Sequence, residues 1–194
     1  MLIVEGTDMT GKTTFCQKLL QRLNARDLPA IYDHFGVLPK GWDYYRSYLP
    51  RINPLTVMDR FHMSEIVYAQ VTQRGQRLDP ETYRLIDAHC RLAGAVTVVI
   101  TAPTETIKTR FRTLHEREMY DVHQIVAVNA AFLDLRRPST PDHWSYPYKR
   151  IDVDFYWVAT PECPFPDEDE AFVSKVVDLY EKRQANVRAI SAQA

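Results

Sequence analysis

Gly6-Thr7-Asp8-Met9-Thr10-Gly11-Lys12-Thr13, preceded by the apolar run Leu2-Ile3-Val4 and followed by a helical stripe that starts at Phe15, decides the fold. The stretch is a complete G-x-x-x-x-G-K-T at a strand-to-helix junction, the context that a phosphate-binding loop requires. Glycines stand where a side chain would block the turn or hold the backbone away from phosphate oxygens. The loop amides then point inward, Lys12 reaches the β and γ phosphates of a nucleotide, and Thr13 offers its hydroxyl to Mg²⁺. The positive end of the following helix adds to the same field. A Gly-rich turn without function is the alternative, and the junction weighs against it.

Working outward, short apolar runs alternate with helical stripes, the signature of βαβ units and a mostly parallel sheet. The runs Leu2 to Val4, Ala30 to His34, Leu55 to Met58, Val96 to Thr101 and Arg150 to Val153 read as five buried strands. Helical stripes pass through Phe15, Leu19, Leu20 and Leu23, through Tyr83, Ile86 and Cys90, and through Ile107, Phe111 and Leu114. Two more pass through Val122, Ile125 and Phe132, and through Phe172, Val173, Val176, Val177 and Tyr180. The expected class is α/β.

Length and composition narrow the function. The 194 residues suit one domain with a core large enough to fold unaided, and 45% hydrophobic with 25% charged residues excludes a disordered or fibrous chain. A net charge of -1 supplies no field for gathering a polynucleotide. Cys16, Cys90 and Cys163 are far apart with no CxxC pair, which predicts free thiols in a reducing compartment. The first residues carry no basic leader, and no apolar run approaches the ~18 residues of a membrane span, so a cytoplasmic location is expected.

A second element supports the loop. Leu55-Thr56-Val57-Met58-Asp59 is a strand ending in a carboxylate that can hold Mg²⁺, and Arg60 follows at once. An Asp-Arg pair at the carboxyl end of a strand lies where ligands bind in open α/β sheets, and arginine grips phosphate with two parallel bonds. In isolation, a helix-starting Asp beside a surface Arg would read equally well.

With both elements in place, the chain resembles the thymidylate kinase-like branch of the nucleoside monophosphate kinases. Glu5-Gly6-Thr7-Asp8 with Gly11-Lys12-Thr13-Thr14 is similar to that branch's E-G-x-D-x-x-G-K-[ST]-T, and Asp59-Arg60-Phe61-His62-Met63-Ser64-Glu65-Ile66-Val67-Tyr68 is similar to its D-R-[YF]-x-x-S-x-x-A-Y. The two motifs cover the amino-terminal third; past Thr101 the likeness is architectural. The resemblance implies a single P-loop kinase domain over residues 1–194, with a five-stranded parallel sheet in the order 2-3-1-4-5, a short helical lid near residues 105–122, and a homodimer. It implies in-line transfer of the γ-phosphoryl group of ATP, with Mg²⁺, to a deoxynucleoside monophosphate in nucleotide biosynthesis. ATP would be held by Asp8, Met9, Thr10, Gly11, Lys12, Thr13 and Thr14, and the cation by Thr13 and Asp59. The acceptor would meet Asp8 at its sugar 3′-hydroxyl, Arg60 at its phosphate, Ser64 and Glu65 near its base, and Tyr68 where a 2′-hydroxyl would stand.

This sequence departs from the family at several of these points. Ala69 stands where many thymidylate kinases have Gln, and Asp33-His34-Phe35-Gly36 with the aromatic run Trp42, Tyr44, Tyr45 and Tyr48 replaces a proline- and glycine-rich stretch. Asp33 and Trp42 therefore join the acceptor candidates, the aromatic run reading either as a base platform or as an amphipathic helix against the core. Ionised Glu65 offers only acceptors, which suits an exocyclic amino group such as that of cytosine, a 5-substituted cytosine or guanine; Glu65 could equally pair with Arg60 or a nearby Lys. The base is left as that of dTMP, dCMP or a 5-modified pyrimidine. Lys108, Arg110, Arg112 and Arg117 crowd the lid, and because Met9 and Thr10 leave the loop without an arginine, Arg110 and Arg117 are expected to join Lys12 and Arg60 in catalysis. A solvated basic face balanced by Glu105, Glu116 and Glu118 is the alternative for each arginine. Asp152 and Asp154 stand at the end of the last expected strand, where related kinases hold adenine mostly through backbone contacts, and the resemblance assigns neither of them a role. The six histidines show no metal spacing, so loop, surface or pocket-wall positions are expected for them.

Two other functions fit parts of the pattern. A deoxynucleoside kinase needs a carboxylate base beside a neutral hydroxyl, a part open to Asp33 or Glu5. A nucleotide-dependent switch in its commonest form carries N-K-x-D, which is absent here.

Overall fold

In the computed structural model, residues 1–36, 43–73, 75, 78–114, 120–135 and 153–193 are described. Five strands pair in parallel in the order β2-β3-β1-β4-β5, as expected. They are β1 (Leu2–Gly6), β2 (Ile31–His34), β3 (Thr56–Asp59), β4 (Val96–Thr101) and β5 (Phe155–Val158). The central strands β1 and β4 are buried at every residue, which is why both read as continuous apolar runs. Strand β2 closes one edge of the sheet and leaves Ile31 and Tyr32 exposed.

The last strand lies later than its expected place. Val153 stands outside it, and residues 150–152 fall outside the described set. Asp154 sets the boundary: its carboxylate accepts the Thr97 amide at 2.8 Å and two bonds from Arg183. Pairing with β4 then begins one residue on, through the aromatic Phe155-Tyr156-Trp157, residue types that favour a pleated surface as much as Ile151 and Val153 do. Asp154 thus stands at the amino end of the last strand and not at its carboxyl end as expected, and its carboxylate is taken up by Thr97 and Arg183.

Seven α-helices lie among the described residues. Helix α1 (Lys12–Asn24) packs Phe15, Leu19 and Leu23 on one face of the sheet, together with α7 (Glu170–Ser191) through Val173, Val176, Val177 and Tyr180. The other face carries α3 (His62–Val71) and α4 (Pro80–Leu92), the latter through Tyr83, Ile86 and Cys90. Helix α5 (Thr104–Leu114) adds Ile107 to the first cluster, and α6 (Val122–Asp134) reaches both, Ile125 in one and Val128 with Phe132 in the other. Helix starts are set locally: Asp79 takes the Glu81 and Thr82 amides ahead of Pro80, and Asp121 forms a reciprocal cap with Gln124. The aromatic run forms the short α2 (Tyr44–Tyr48) with Tyr48 buried, so the helix reading holds there, while Trp42 lies outside the described residues.

One residue lets the first strand turn into the loop. Gly6 has φ +139°, and a Cβ there would stand 2.1 Å from the Ile100 carbonyl oxygen on β4. Gly6→Ala is therefore expected to lower stability by about 3 kcal/mol or more, read from the urea midpoint. A loss below about 1 kcal/mol would mean that β1 and β4 can separate there without cost.

Candidate active site

The loop after β1 is built as its sequence predicts. Met9 and Gly11 take left-handed backbone angles, φ 67° and 86°, and Gly11 caps the start of α1. Thr10 is buried and donates to the Thr7 carbonyl at 2.8 Å, while Lys12 Nζ reaches the same carbonyl at 2.5 Å. Thr13 and Thr14 face solvent at the helix start. Thr13 Oγ1 donates to Asp59 Oδ2 at 2.5 Å, so the hydroxyl and the strand-end carboxylate expected to share a cation are in contact.

Asp59 is 1% exposed, and its Oδ1 has no hydrogen-bond partner among the described residues. An orphaned buried carboxylate oxygen beside a threonine hydroxyl fits a site for a hard divalent cation. Edge strand β2 brings two residues there that the sequence reading left out. Tyr32 Oη donates to Asp59 Oδ2 at 3.1 Å, and His34 Nδ1 stands 3.7 Å from the same oxygen. Burial, and then the charge of Asp59, push the Tyr32 hydroxyl well up, so it stays a neutral donor. The missing signal was the period of two: Tyr32 and His34 share a face of β2, and the register pairs His34 with Asp59.

Across the loop, Asp8, Arg60 and Tyr68 converge. Asp8 forms an ion pair with Arg60, Tyr68 Oη donates to Asp8 Oδ2 at 2.8 Å, and the Arg60 guanidinium lies 5.1 Å from the centroid of the Tyr68 ring. Arg60 has φ 67°, a left-handed kink directly after β3 that redirects the chain into α3. That kink is anchored by Glu5, which is fully buried on β1. Its Oε1 accepts the Phe61 and Met63 amides, each at 3.0 Å, and its Oε2 accepts the Ser64 hydroxyl at 2.5 Å. The carboxylate thus caps α3 from a neighbouring strand.

Behind Arg60 a pocket of about 290 Å³, counting space open to solvent, is lined by Phe35, Tyr48, Arg60, Phe61, Ser64, Glu65 and Tyr68, among others. Phe35 and Tyr48 stack at 4.3 Å, and Phe61 meets Tyr48 edge-on at 4.8 Å. Four of the acceptor candidates, Arg60, Ser64, Glu65 and Tyr68, are therefore brought together, with Glu65 buried in the wall. Asp33 is not among them: its carboxylate pairs with Arg51 at 2.7 Å.

Of the lid cations, Arg110 reaches the loop. Its guanidinium donates to the Met9 carbonyl at 2.6 Å and the Pro164 carbonyl at 2.5 Å, and lies 4.1 Å from the Phe165 ring centroid. Phe165 in turn covers Gly11, where an added Cβ would be 3.1 Å from its ring. Lys108 pairs with Glu105 on the surface, the bland alternative realised, and Arg117 lies outside the described residues.

Among solved structures, the chain is similar to the YorR protein of Bacillus subtilis, crystallised in complex with phosphorylated GDP. The likeness has a TM-score of 0.66 at 19% identity and covers 95% of this chain and 97% of that one. The likeness is one of fold, the five-stranded parallel sheet flanked by helices. No protein-family model and no curated protein matches the sequence. Among the described residues, no helix is long and apolar enough to cross a membrane.

The Glu5 clamp makes a prediction of its own. Glu5→Ala leaves two helix-start amides and a hydroxyl without an acceptor and is expected to cost about 2–4 kcal/mol in urea unfolding. Glu5→Gln keeps an acceptor oxygen for both amides and should recover much of that loss. Burial raises the Glu5 carboxyl above its ordinary 4.5 despite the opposing donors and nearby His62. The unfolded chain then releases this proton first, so stability should fall as pH rises from 4.5 through the folded value, a slope absent from Glu5→Gln. A Gln variant as unstable as the Ala variant would show that charge, and not acceptor geometry, holds α3.

Proposed function

We propose that this chain transfers the γ-phosphoryl group of MgATP to a deoxynucleoside monophosphate, as the thymidylate kinase-like kinases do. The observation that carries this reading is the position of Arg60, at the boundary between the phosphate loop and the pocket, with Asp8 on one side and Tyr68 on the other. A cation there suits an acceptor that already carries a phosphate and must approach another anion in line.

Each residue then has a task. The loop amides and Lys12 hold the donor phosphates, Lys12 leaving the Thr7 carbonyl for the β and γ oxygens. Thr13 and Asp59 would hold the cation, whose charge would offset that developing on the transferring group. Arg60 leaves Asp8 to grip the acceptor phosphate, freeing the Asp8 carboxylate for the sugar 3′-hydroxyl. Tyr68 packs against the sugar and favours deoxyribose. Arg110, already at the Met9 carbonyl, is the lid cation best placed to meet the transferring group. Glu65 in the pocket wall suits an amino-bearing base such as that of dCMP or a 5-modified cytosine, with dTMP as the family's own choice.

The deoxynucleoside kinase reading loses support from the same geometry. Of its two candidate bases, Glu5 is occupied by α3 at both oxygens, and Asp33 is paired with Arg51.

ADP release from MgATP, measured with each deoxynucleoside monophosphate and each free deoxynucleoside and with Lys12→Ala as the blank, tests the proposal. Turnover is expected with one or a few monophosphates. Arg60→Ala should lower kcat/KM for the acceptor by about 10²-fold or more. Turnover with free nucleosides alone, or hydrolysis without any acceptor, would overturn the reading.

A further inference from the structure

The cation site has a side that the phosphate-loop motif does not supply. Strand β2 places Tyr32 and His34 on one face, two residues apart, and its register sets His34 level with Asp59. Tyr32 Oη and Thr13 Oγ1 both donate to Asp59 Oδ2, at 3.1 and 2.5 Å, and so fix the carboxylate from two directions. His34 approaches that oxygen from the third. Its Nδ1 stands 3.7 Å away, beyond the ~3.2 Å limit of a hydrogen bond. Two donors each about 2.1 Å from one ion, at about 90–120° to one another, stand about 3.0–3.6 Å apart. At 3.7 Å the gap between His34 and Asp59 Oδ2 is too wide for a direct bond and lies just beyond that range; with Oδ2 already accepting two hydrogen bonds, Oδ1 is the oxygen left to share an ion with the ring. Asp59 Oδ1, buried and without a partner among the described residues, is a second sign that the carboxylate is short of a cation.

We propose that His34 is a nitrogen ligand of the divalent cation held by Thr13 and Asp59, so that the site takes imidazole-binding cations such as Mn²⁺ and Co²⁺ more tightly than its oxygens alone would. The assignment rests on the phosphate-loop reading given above, in which Thr13 and nucleotide oxygens complete the coordination. Magnesium, which prefers oxygen donors, gains little from the ring; softer divalent ions gain more. Tyr32 is a positioning residue here, holding Asp59 by its hydroxyl. Among the described residues no group of three or more His, Cys, Asp and Glu side chains forms a metal site, so the ion is expected to bind together with a nucleotide and not alone.

The test uses the full chain with ADP and Mn²⁺, followed by electron paramagnetic resonance. The wild-type spectrum is expected to show ¹⁴N modulation from a coordinated ring nitrogen, and His34→Ala should lose it. The same variant should weaken Mn²⁺ about tenfold while changing Mg²⁺, read by competition, less than about twofold. His34 is half exposed, so the substitution leaves the core untouched. Thr13→Ala separates the two levels of the argument. If Thr13→Ala weakens Mn²⁺ but His34→Ala alters neither modulation nor affinity, the His34 assignment is wrong and the phosphate loop stands. If Thr13→Ala has no effect either, the phosphate-loop reading fails with it. Modulation that persists in His34→Ala would come from the nucleotide base and would also overturn the assignment.

Discussion

A carboxylate on a central strand, buried away from all solvent, organises the side of the site that carries Arg60 and the pocket. Glu5 spends both oxygens on the first turn of α3, and that turn begins at the left-handed kink of Arg60. The position of Arg60, the approach of Tyr68 to Asp8, and the Ser64 and Glu65 wall of the pocket all follow from where α3 starts. A surface cap at this point would contribute about 1 kcal/mol; a buried one also removes the desolvation cost of unpaired amides. Gly6, next in sequence, lets the same strand pass into the phosphate loop against the Ile100 carbonyl. Two adjacent residues thus set the pocket side and the loop side of the site.

Charge around Glu5 is balanced beneath the pocket as well as within it. His62, the first residue of α3, is fully buried, stands 3.5 Å from Asp87 and lies against the Tyr83 ring at 4.9 Å. Burial alone would raise the Asp87 carboxyl, but the contacts with His62 and Arg91 outweigh it and leave the group below its usual range. A line of polar side chains therefore runs from Glu5 through His62 and Asp87 to Arg91 at the surface. Removing a buried member leaves its buried neighbour without a partner, which is costly.

On the donor side the decisive contact spans distant parts of the chain. Arg110 ties the Met9 carbonyl of the loop to the Pro164 carbonyl of the segment after β5, and Phe165 lies between that guanidinium and Gly11. The segment after β5 is thereby joined to both α5 and the loop after β1.

The sequence by itself determined the class of fold, the sheet order by family likeness, the phosphate loop and the Asp59-Arg60 pair, because these depend on local periodicity and on residue spacings within one strand-turn-helix unit. The convergence of Asp8, Arg60 and Tyr68 was legible for the same reason, since two short motifs carry all three. Only the tertiary structure decided that Glu5 caps a helix fifty-odd residues away, that Asp33 belongs to Arg51, and that Tyr32 and His34 stand beside Asp59. It also placed the last strand at Phe155–Val158, where Asp154 stops the ladder, and chose Arg110 among the basic residues of its helix. Contacts of this kind depend on which strands become neighbours and in what register, and a parallel sheet joins segments that are remote along the chain. Spacing along the sequence can put Tyr32 and His34 on one face of a strand, but it does not say which strand lies beside them.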